Sequence, residues 1–230
     1  MNSMKLSIII PAYNEEKTIS EIVRKVKSQE VHDMEKEIIV VDDGSKDNTR
    51  KILSRIKGIK LVVHEQNRGK GAAIRTGLKH ATGKITLIQD ADLELFPEDY
   101  PALLSPILAN KADVVYGSRI LGNDCKNKNF FFYNGGKLVT AFANLLYGIN
   151  ITDEPIGYKV FRTDILKSLN LECEGFEFCP EVTAKIAKRK IPIYEVPVRY
   201  NPRSSKDGKK LRVKDGIEAL LTLLKYKFKK

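Results

Sequence analysis

The sequence predicts an α/β fold in which a parallel sheet carries helices on both faces. Two observations lead there. Short apolar runs alternate with amphipathic helical periodicity through the first half of the chain, the pattern of strands joined by helical crossovers. The apolar runs also tend to stop at polar or acidic clusters, and in such sheets ligands bind beyond the carboxyl ends of the strands.

The elements follow in order. A strand over 6–10 is closed by Pro11, and a helix from about 15 to 28 places Ile19, Ile22, Val23 and Val26 on one face. A second strand, 37–41, ends in Asp42-Asp43-Gly44-Ser45, and Asp47 caps a helix through 56. A third strand, 60–63, precedes Asn67-Arg68-Gly69-Lys70-Gly71, which opens a helix to about 80. The fourth strand, 85–88, runs into Gln89-Asp90-Ala91-Asp92-Leu93-Glu94. Pro97 suits a helix start, and Pro101 and Pro106 make that helix short or broken. The fifth strand is 113–116. Beyond Gly122 the predicted elements are an apolar helical stripe over 137–147 (Leu138, Val139, Phe142, Leu145, Leu146), a strand over 157–162, a helix over 180–190, a strand over 191–200 and an amphipathic helix over 215–228.

The most informative feature is the pair Asp90 and Asp92. A buried strand gains nothing by ending in two carboxylates, which repel one another and are costly to bury unpaired. A hard divalent cation, Mg²⁺ or Mn²⁺, removes both costs because it takes oxygen ligands. Strand alternation sends Asp90 and Asp92 to one side, with Glu94 next if the chain stays extended. A solvated loop before the Pro97 helix is the plainer alternative. The convergence of Tyr13-Asn14-Glu15, Asp42-Asp43, Asn67-Arg68 and Asp90/Asp92 on the same rim argues for a site. The first strand is followed by no G-x-G-x-x-G, and no P-loop occurs, which argues against a dinucleotide enzyme or an ATPase. Carboxylates for a metal beside basic groups for phosphates suit a nucleotide diphosphate leaving group.

The formal net charge of +11 favours an anionic partner. The excess is uneven: from Arg203 to Lys230 there are ten Lys/Arg against three Asp/Glu. Three cysteines, Cys125, Cys173 and Cys179, have no metal-like spacing and suit a reducing compartment. No apolar run reaches the eighteen or so residues of a transmembrane helix, and the N-terminus has no signal-peptide layout. A nucleic-acid-binding module would explain the charge alone, but the basic tail holds only Tyr200, Tyr226 and Phe228 for base stacking; no nucleic-acid partner is expected.

The chain resembles the family 2 glycosyltransferases of the GT-A fold. The resemblance rests on Ser7-Ile8-Ile9-Ile10-Pro11-Ala12-Tyr13-Asn14-Glu15-Glu16, Val40-Val41-Asp42-Asp43-Gly44-Ser45-Lys46-Asp47, Asn67-Arg68-Gly69-Lys70-Gly71, Asp90-Ala91-Asp92, Gly117-Ser118-Arg119 and Gly157-Tyr158-Lys159-Val160-Phe161-Arg162. Their order and spacing look like the dolichyl-phosphate mannose and polyprenyl-phosphate glucose synthase branch. Phe176-Glu177-Phe178, Glu181 and Glu195-Val196-Pro197-Val198 extend the likeness to nearly the whole chain.

That resemblance implies a GT-A, Rossmann-like, mostly parallel sheet in a single domain over 1–230. Residues 1–122 would form a nucleotide-sugar-binding half, and 123–230 an acceptor-binding half with amphipathic interfacial helices. It implies inverting transfer of mannose or glucose from GDP-mannose or UDP-glucose to a polyprenyl (dolichyl) phosphate. Pro11, Tyr13 and Glu15 would line the base and ribose pocket, and Asp43 would bond the base, with Arg68 and Lys70 near the nucleotide. Asp90 would contact the ribose and metal region, Asp92 would be the firmest metal ligand, and Glu94 a further one. Arg119 would hold the acceptor phosphate. Arg203 and Lys210 belong to a basic segment, 201–212, that could close over the donor or the acceptor. Loop or helix-terminus charge is the alternative for Glu15 and Glu94, a turn role for Asp43, and a solvated loop for Arg203 and Lys210.

Relatives often carry a further arginine after Gly122, whereas this sequence has none between Arg119 and Arg162; Lys126, Lys128 or Lys137 would substitute, without a bidentate fork. Ile156 stands where a polar residue is expected. The run Phe130-Phe131-Phe132-Tyr133 and the stripe after it read either as core or as a helix lying on a bilayer beside lysines. The expected location is the cytoplasmic face of a membrane, peripheral or held by a membrane-protein partner. Transfer to a soluble glycan or protein is the alternative activity.

Overall fold

The computed structural model describes residues 4–31, 34–122, 130–203 and 213–229. Among them, seven strands form one sheet: β1 (Lys5–Ala12), β2 (Glu35–Asp42), β3 (Lys60–Val63), β4 (Ile85–Ile88), β5 (Val114–Ser118), β6 (Lys159–Arg162) and β7 (Ile193–Pro197). Their order is β3-β2-β1-β4-β6-β5-β7. The sheet is mostly parallel. The exception is β6, which runs antiparallel to both β4 and β5. The flanking helices are α1 (Ile19–Ser28), α2 (Thr49–Leu53), α3 (Lys70–His80), α4 (Tyr100–Leu108), α5 (Phe130–Tyr147), α6 (Thr163–Ser168), α7 (Phe178–Lys188) and α8 (Val213–Phe228), with a 3₁₀ turn at Pro97–Asp99.

The central strands are mostly apolar, with Ser7 and Thr86 the buried polar exceptions in β1 and β4, because they are covered on both faces. Ile8, Ile9 and Ile10 of β1 and Ile85, Leu87 and Ile88 of β4 are all fully buried. One apolar core runs from Leu6 to Val198 and so includes residues of both halves of the chain. On α1, Ile19, Ile22, Val23 and Val26 are buried, as their spacing predicts.

Several details differ from expectation. Pro11 does not close β1; the strand pairs with β2 through Ala12. The β4 ladder on the other side ends at Ile9, so the missing N–H of Pro11 faces no partner strand and costs nothing. Helix α1 starts at Ile19 because residues 15–18 form a turn, in which the Glu15 carbonyl accepts the Thr18 and Ile19 N–H groups. Pro101 sits in the first turn of α4, where no N–H is needed, and Pro106 lies near its end, so the helix is continuous. Helix α6 had no counterpart among the predicted elements.

The apolar stripe of α5 divides between two surroundings. Val139 and Ala143 are buried against Ala184 of α7 and Leu223 and Tyr226 of α8, with Phe142 and Leu146 packed at the edge. Leu138 and Leu145 point outward, 61% and 84% exposed. Among the described residues, no helix is long and apolar enough to cross a membrane.

Candidate active site

The rim at the carboxyl end of β4 is built from the core outward. Gln89 is fully buried, and its Oε1 accepts the Tyr100 and Tyr158 hydroxyls, both at 2.7 Å. Its Nε2 donates to the Asp90 carbonyl at 2.9 Å. Beyond this anchor the chain turns rather than staying extended, with Leu93 in the left-handed region at φ 62°. Alternation therefore does not align Asp90, Asp92 and Glu94. Instead Asp92 Oδ1 accepts the Glu94 N–H at 3.1 Å, and this turn sets those two carboxylates side by side.

The segment after β7 closes over them. Asn201 N–H bonds the Glu94 carbonyl, and Arg203 N–H donates to Glu94 Oε1 at 2.8 Å. The Arg203 guanidinium then reaches Glu15 at 3.1 and 3.3 Å and Asp92 at 3.1 Å. Among the described residues its buried Nε has no hydrogen-bond partner, and Glu94 Oε1 lies 3.9 Å away. Glu15 is aimed inward by its own N–H, which donates to Thr49 Oγ1 at 2.8 Å. Burial, reinforced by the charges of Asp90 and Glu94, pushes the Asp92 carboxyl up to about 7, and Arg203 opposes the shift.

Asp90 faces a different cation. Its Oδ1 lies 2.5 Å from Lys70 Nζ, and although burial works against the Lys70 charge, Asp90 more than restores it. A Cβ on Gly157 would lie 1.9 Å from Asp90 Oδ2, so any larger residue there would displace the carboxylate from its present position. Among the described residues no three acidic, His or Cys side chains stand close enough together to hold a metal as arranged. The donor set nevertheless fits a hard cation: Asp92, Glu94 and Glu15 are oxygen ligands gathered on one positive group, the Arg203 guanidinium. Asp92 and Glu94 would hold such an ion, with Asp90 adjoining.

On the nucleotide side, Pro11 and Tyr13 are half-buried at the end of β1. Asp43 is nearly fully buried and braces the turn before α3. It accepts the Arg68 and Gly69 N–H groups at 3.0 and 2.7 Å and the Asn67 amide at 2.9 Å. Its fourth contact is His64 Nδ1 at 2.7 Å. His64 was not foreseen, since a lone histidine at a strand end gives no sequence signal. A shallow depression of about 420 Å³, lined by Val63, His64, Glu65, Gln66 and Arg68, adjoins this turn. Gly44 at φ 70° lets the two loops meet, because a Cβ would come within 2.4 Å of the Gln66 backbone. Arg68 reaches out to Glu174 at 3.3 Å.

On the opposite side, Arg119 follows β5 and is gripped by Asp153. The Arg119 Nε and Nη2 donate to the Asp153 carboxylate at 2.7 and 2.6 Å, and the Arg119 N–H adds a third bond at 3.0 Å. Burial opposes the charge on Arg119, but Asp153 holds it firmly protonated. Arg119 also stacks 5.0 Å from the Tyr200 ring centroid, and the Tyr200 hydroxyl donates to Glu94 Oε2 at 3.2 Å. The arginine and the carboxylate cluster thus share one intervening residue. Sequence gives Asp153 and Tyr200 no place in this site because their partners lie 34 and 106 residues away.

Lys137 is exposed on α5, with its Nζ 4.4 Å from the Tyr133 ring centroid, and none of its described contacts is with Arg119. Lys210, Lys126 and Lys128 lie outside the described residues, as do the side chains of Phe130, Phe131 and Phe132.

A sheet of this topology, with carboxylates and fixed cations gathered at one rim, has the GT-A-like fold. The chain belongs to glycosyl transferase family 2, whose profile matches residues 7–169. It is 33% identical, over 95% of both chains, to the UDP-N-acetylglucosamine–dolichyl-phosphate N-acetylglucosaminyltransferase of Methanococcus voltae. It is 30% identical to the dolichol-phosphate mannosyltransferase of Pyrococcus furiosus, over 90% of this chain and 59% of that one. Among solved structures, glucosyl-3-phosphoglycerate synthase from Mycobacterium tuberculosis, crystallised with Mn²⁺, UDP and phosphoglyceric acid, shares the fold. The TM-score is 0.74 at 21% identity, covering 98% of this chain and 79% of that one.

Proposed function

We propose that this protein is an inverting, metal-dependent transferase that moves a hexose from a nucleotide sugar to a polyprenyl phosphate. The observation that carries the reading is the placement of Arg119, fixed by Asp153, one aromatic ring away from the Asp92–Glu94 carboxylates. A phosphate acceptor is already an anion at neutral pH, so the reaction asks for no strong general base. Its difficulty is bringing two anions together, and fixed positive charge eases it. Arg119 would seat the acceptor phosphate. Lys70 and Arg203 would flank the donor diphosphate, and Pro11, Tyr13 and the Asp43 turn would take the nucleoside. A bound Mg²⁺ or Mn²⁺ would offset the charge of the departing nucleoside diphosphate.

A lipid acceptor is supported by the outer surface of α5 and α8. Leu145 of α5 and Ile217, Leu221 and Phe228 of α8 are more than half exposed, more apolar surface than a helix pair facing water needs. Exposed Lys137 and Lys225 would each add about 1 kcal/mol against an anionic leaflet. The protein would then work peripherally on the cytoplasmic face of a membrane, alone or beside a membrane-protein partner. The donor is GDP-mannose, UDP-glucose or a related sugar nucleotide; the Methanococcus voltae relative is named for UDP-N-acetylglucosamine.

The test is a transfer assay with each sugar nucleotide, polyprenyl phosphate or soluble glycans as acceptor, and Mn²⁺, Mg²⁺ or chelator. Metal-dependent transfer to the lipid with one donor is the expected result. Transfer only to soluble acceptors, or transfer undiminished by chelator, would overturn the reading.

A further inference from the structure

Lys159, in β6, is fully buried. A lysine ammonium in an apolar interior is tolerated only where its hydrogens and its charge are both met. Here Nζ donates to the carbonyl oxygens of Glu154 at 2.7 Å and Ile156 at 2.9 Å, which lie on either side of Pro155. It also sits 3.8 Å from the Tyr116 ring centroid. The Glu154 carboxylate supplies opposite charge: it is buried, Oε1 accepts the Thr183 hydroxyl at 3.0 Å, and Oε2 has no hydrogen-bond partner among the described residues. Burial raises the Glu154 carboxyl and Lys159 works against that shift.

The turn so held is the one that carries Asp153. Its other side is gripped as well. Glu195 accepts the Thr152 and Asp153 N–H groups at 2.7 and 3.1 Å, and Thr140 Oγ1 accepts the Glu154 N–H at 3.0 Å. Glu195 and Thr140 meet N–H groups at the start of the turn, whereas Lys159 meets the carbonyls that follow. An apolar side chain of similar length would take this donor from both buried carbonyls, leaving Ile156 only the weak Cys179 thiol at 3.9 Å.

We propose that Lys159 is a positioning residue for sugar transfer: by pinning the Glu154 and Ile156 carbonyls it fixes Asp153, and through Asp153 the Arg119 fork that meets the acceptor. Its catalytic consequence rests on the acceptor role given to Arg119 above; its effect on the turn does not.

The decisive variant is Lys159→Met. Amide hydrogen exchange over residues 152–157 is expected to accelerate about tenfold, while β1 and β4 keep their protection. KM for polyprenyl phosphate is expected to rise about tenfold, with kcat at saturating acceptor and the affinity for nucleotide with Mn²⁺ within about twofold of wild type. Unchanged exchange in the turn, or faster exchange with an unchanged acceptor KM in an active enzyme, would overturn the proposal. Should Lys159→Met not fold, Lys159→Gln keeps one donor group and is expected to give smaller shifts in the same direction. Failure of both to fold would show Lys159 to be purely structural. If wild type transfers nothing to polyprenyl phosphate, the functional reading falls, while the exchange data still decide whether Lys159 holds the turn.

Discussion

In the proposed site a metal ion would compete with Arg203 for the carboxylates of Asp92 and Glu94, so removing the arginine yields a prediction with two opposite signs. In Arg203→Met the guanidinium that bridges Glu15 and Asp92 and lies 3.9 Å from Glu94 is lost. At the effective dielectric appropriate to such sites, each charge pair at about 4 Å interacts by about 4 kcal/mol before desolvation is subtracted. Arg203 is 16% exposed, and desolvation takes back much of the gross figure. A net cost of about 2 kcal/mol for displacing it is a reasonable expectation, which corresponds to about 30-fold in a dissociation constant. The variant should therefore bind Mn²⁺ alone about 30-fold more tightly than wild type. It should also bind the metal–nucleotide complex less well relative to metal alone, because the diphosphate would lack the partner proposed for it. Mn²⁺ titration followed by electron paramagnetic resonance, with and without nucleoside diphosphate, reads both effects. Mn²⁺ affinity that is unchanged or weaker in the variant without nucleotide would refute the idea that the guanidinium holds the cation's seat.

Four further outcomes are expected. Asp92→Ala should fold and lose metal-dependent donor binding, seen by calorimetry; metal-dependent transfer retained in that variant would sink the site assignment. Gly157→Ala should push Asp90 off Lys70, since the new Cβ would meet Oδ2 at 1.9 Å; overpacking of this kind costs about 1–3 kcal/mol, and both thermal stability and transfer should fall. Glu181 is buried beneath α8; burial raises its carboxyl, but Lys185, the Cys173 and Glu172 N–H groups and the Tyr226 hydroxyl outweigh that and hold it below its ordinary 4.5. A depressed carboxylate contributes stability above its unfolded value and loses it as pH falls through the folded one, so protection of α8 amides should decline below about pH 4.5, and a decline of equal size in Glu181→Gln would contradict this source. Leu145→Glu combined with Leu221→Glu should abolish co-sedimentation with anionic vesicles at unchanged nucleotide affinity; binding equal to wild type would remove the membrane-facing role of α5 and α8. Phe142 is unsuitable for that test because it packs at the edge of the α5–α7–α8 cluster.

What sequence alone determined is whatever depends on near neighbours. Burial on two faces makes β1 and β4 mostly apolar runs, and the 3.6-residue period of α1 marks Ile19, Ile22, Val23 and Val26 as its buried side. The acidic residues after β4 are just as visible, since two carboxylates at a buried strand's end call for a cation. The rest required the topology. Strand β6 enters antiparallel between β4 and β5, so its beginning, not its end, lies at the rim. That reversal places Asp153 against Arg119 and Gly157 under Asp90, and no local periodicity encodes a strand's direction. Arg203 meets Glu15 across 188 residues, a pairing set by where the chain after β7 crosses the sheet. The α5 stripe shows the same limit in packing: a helical period marks an apolar face, but only the docking of α7 and α8 decides that Val139 is covered while Leu145 is left facing out. Residue spacing specifies the chemistry each element offers, and long-range packing specifies which of those groups meet.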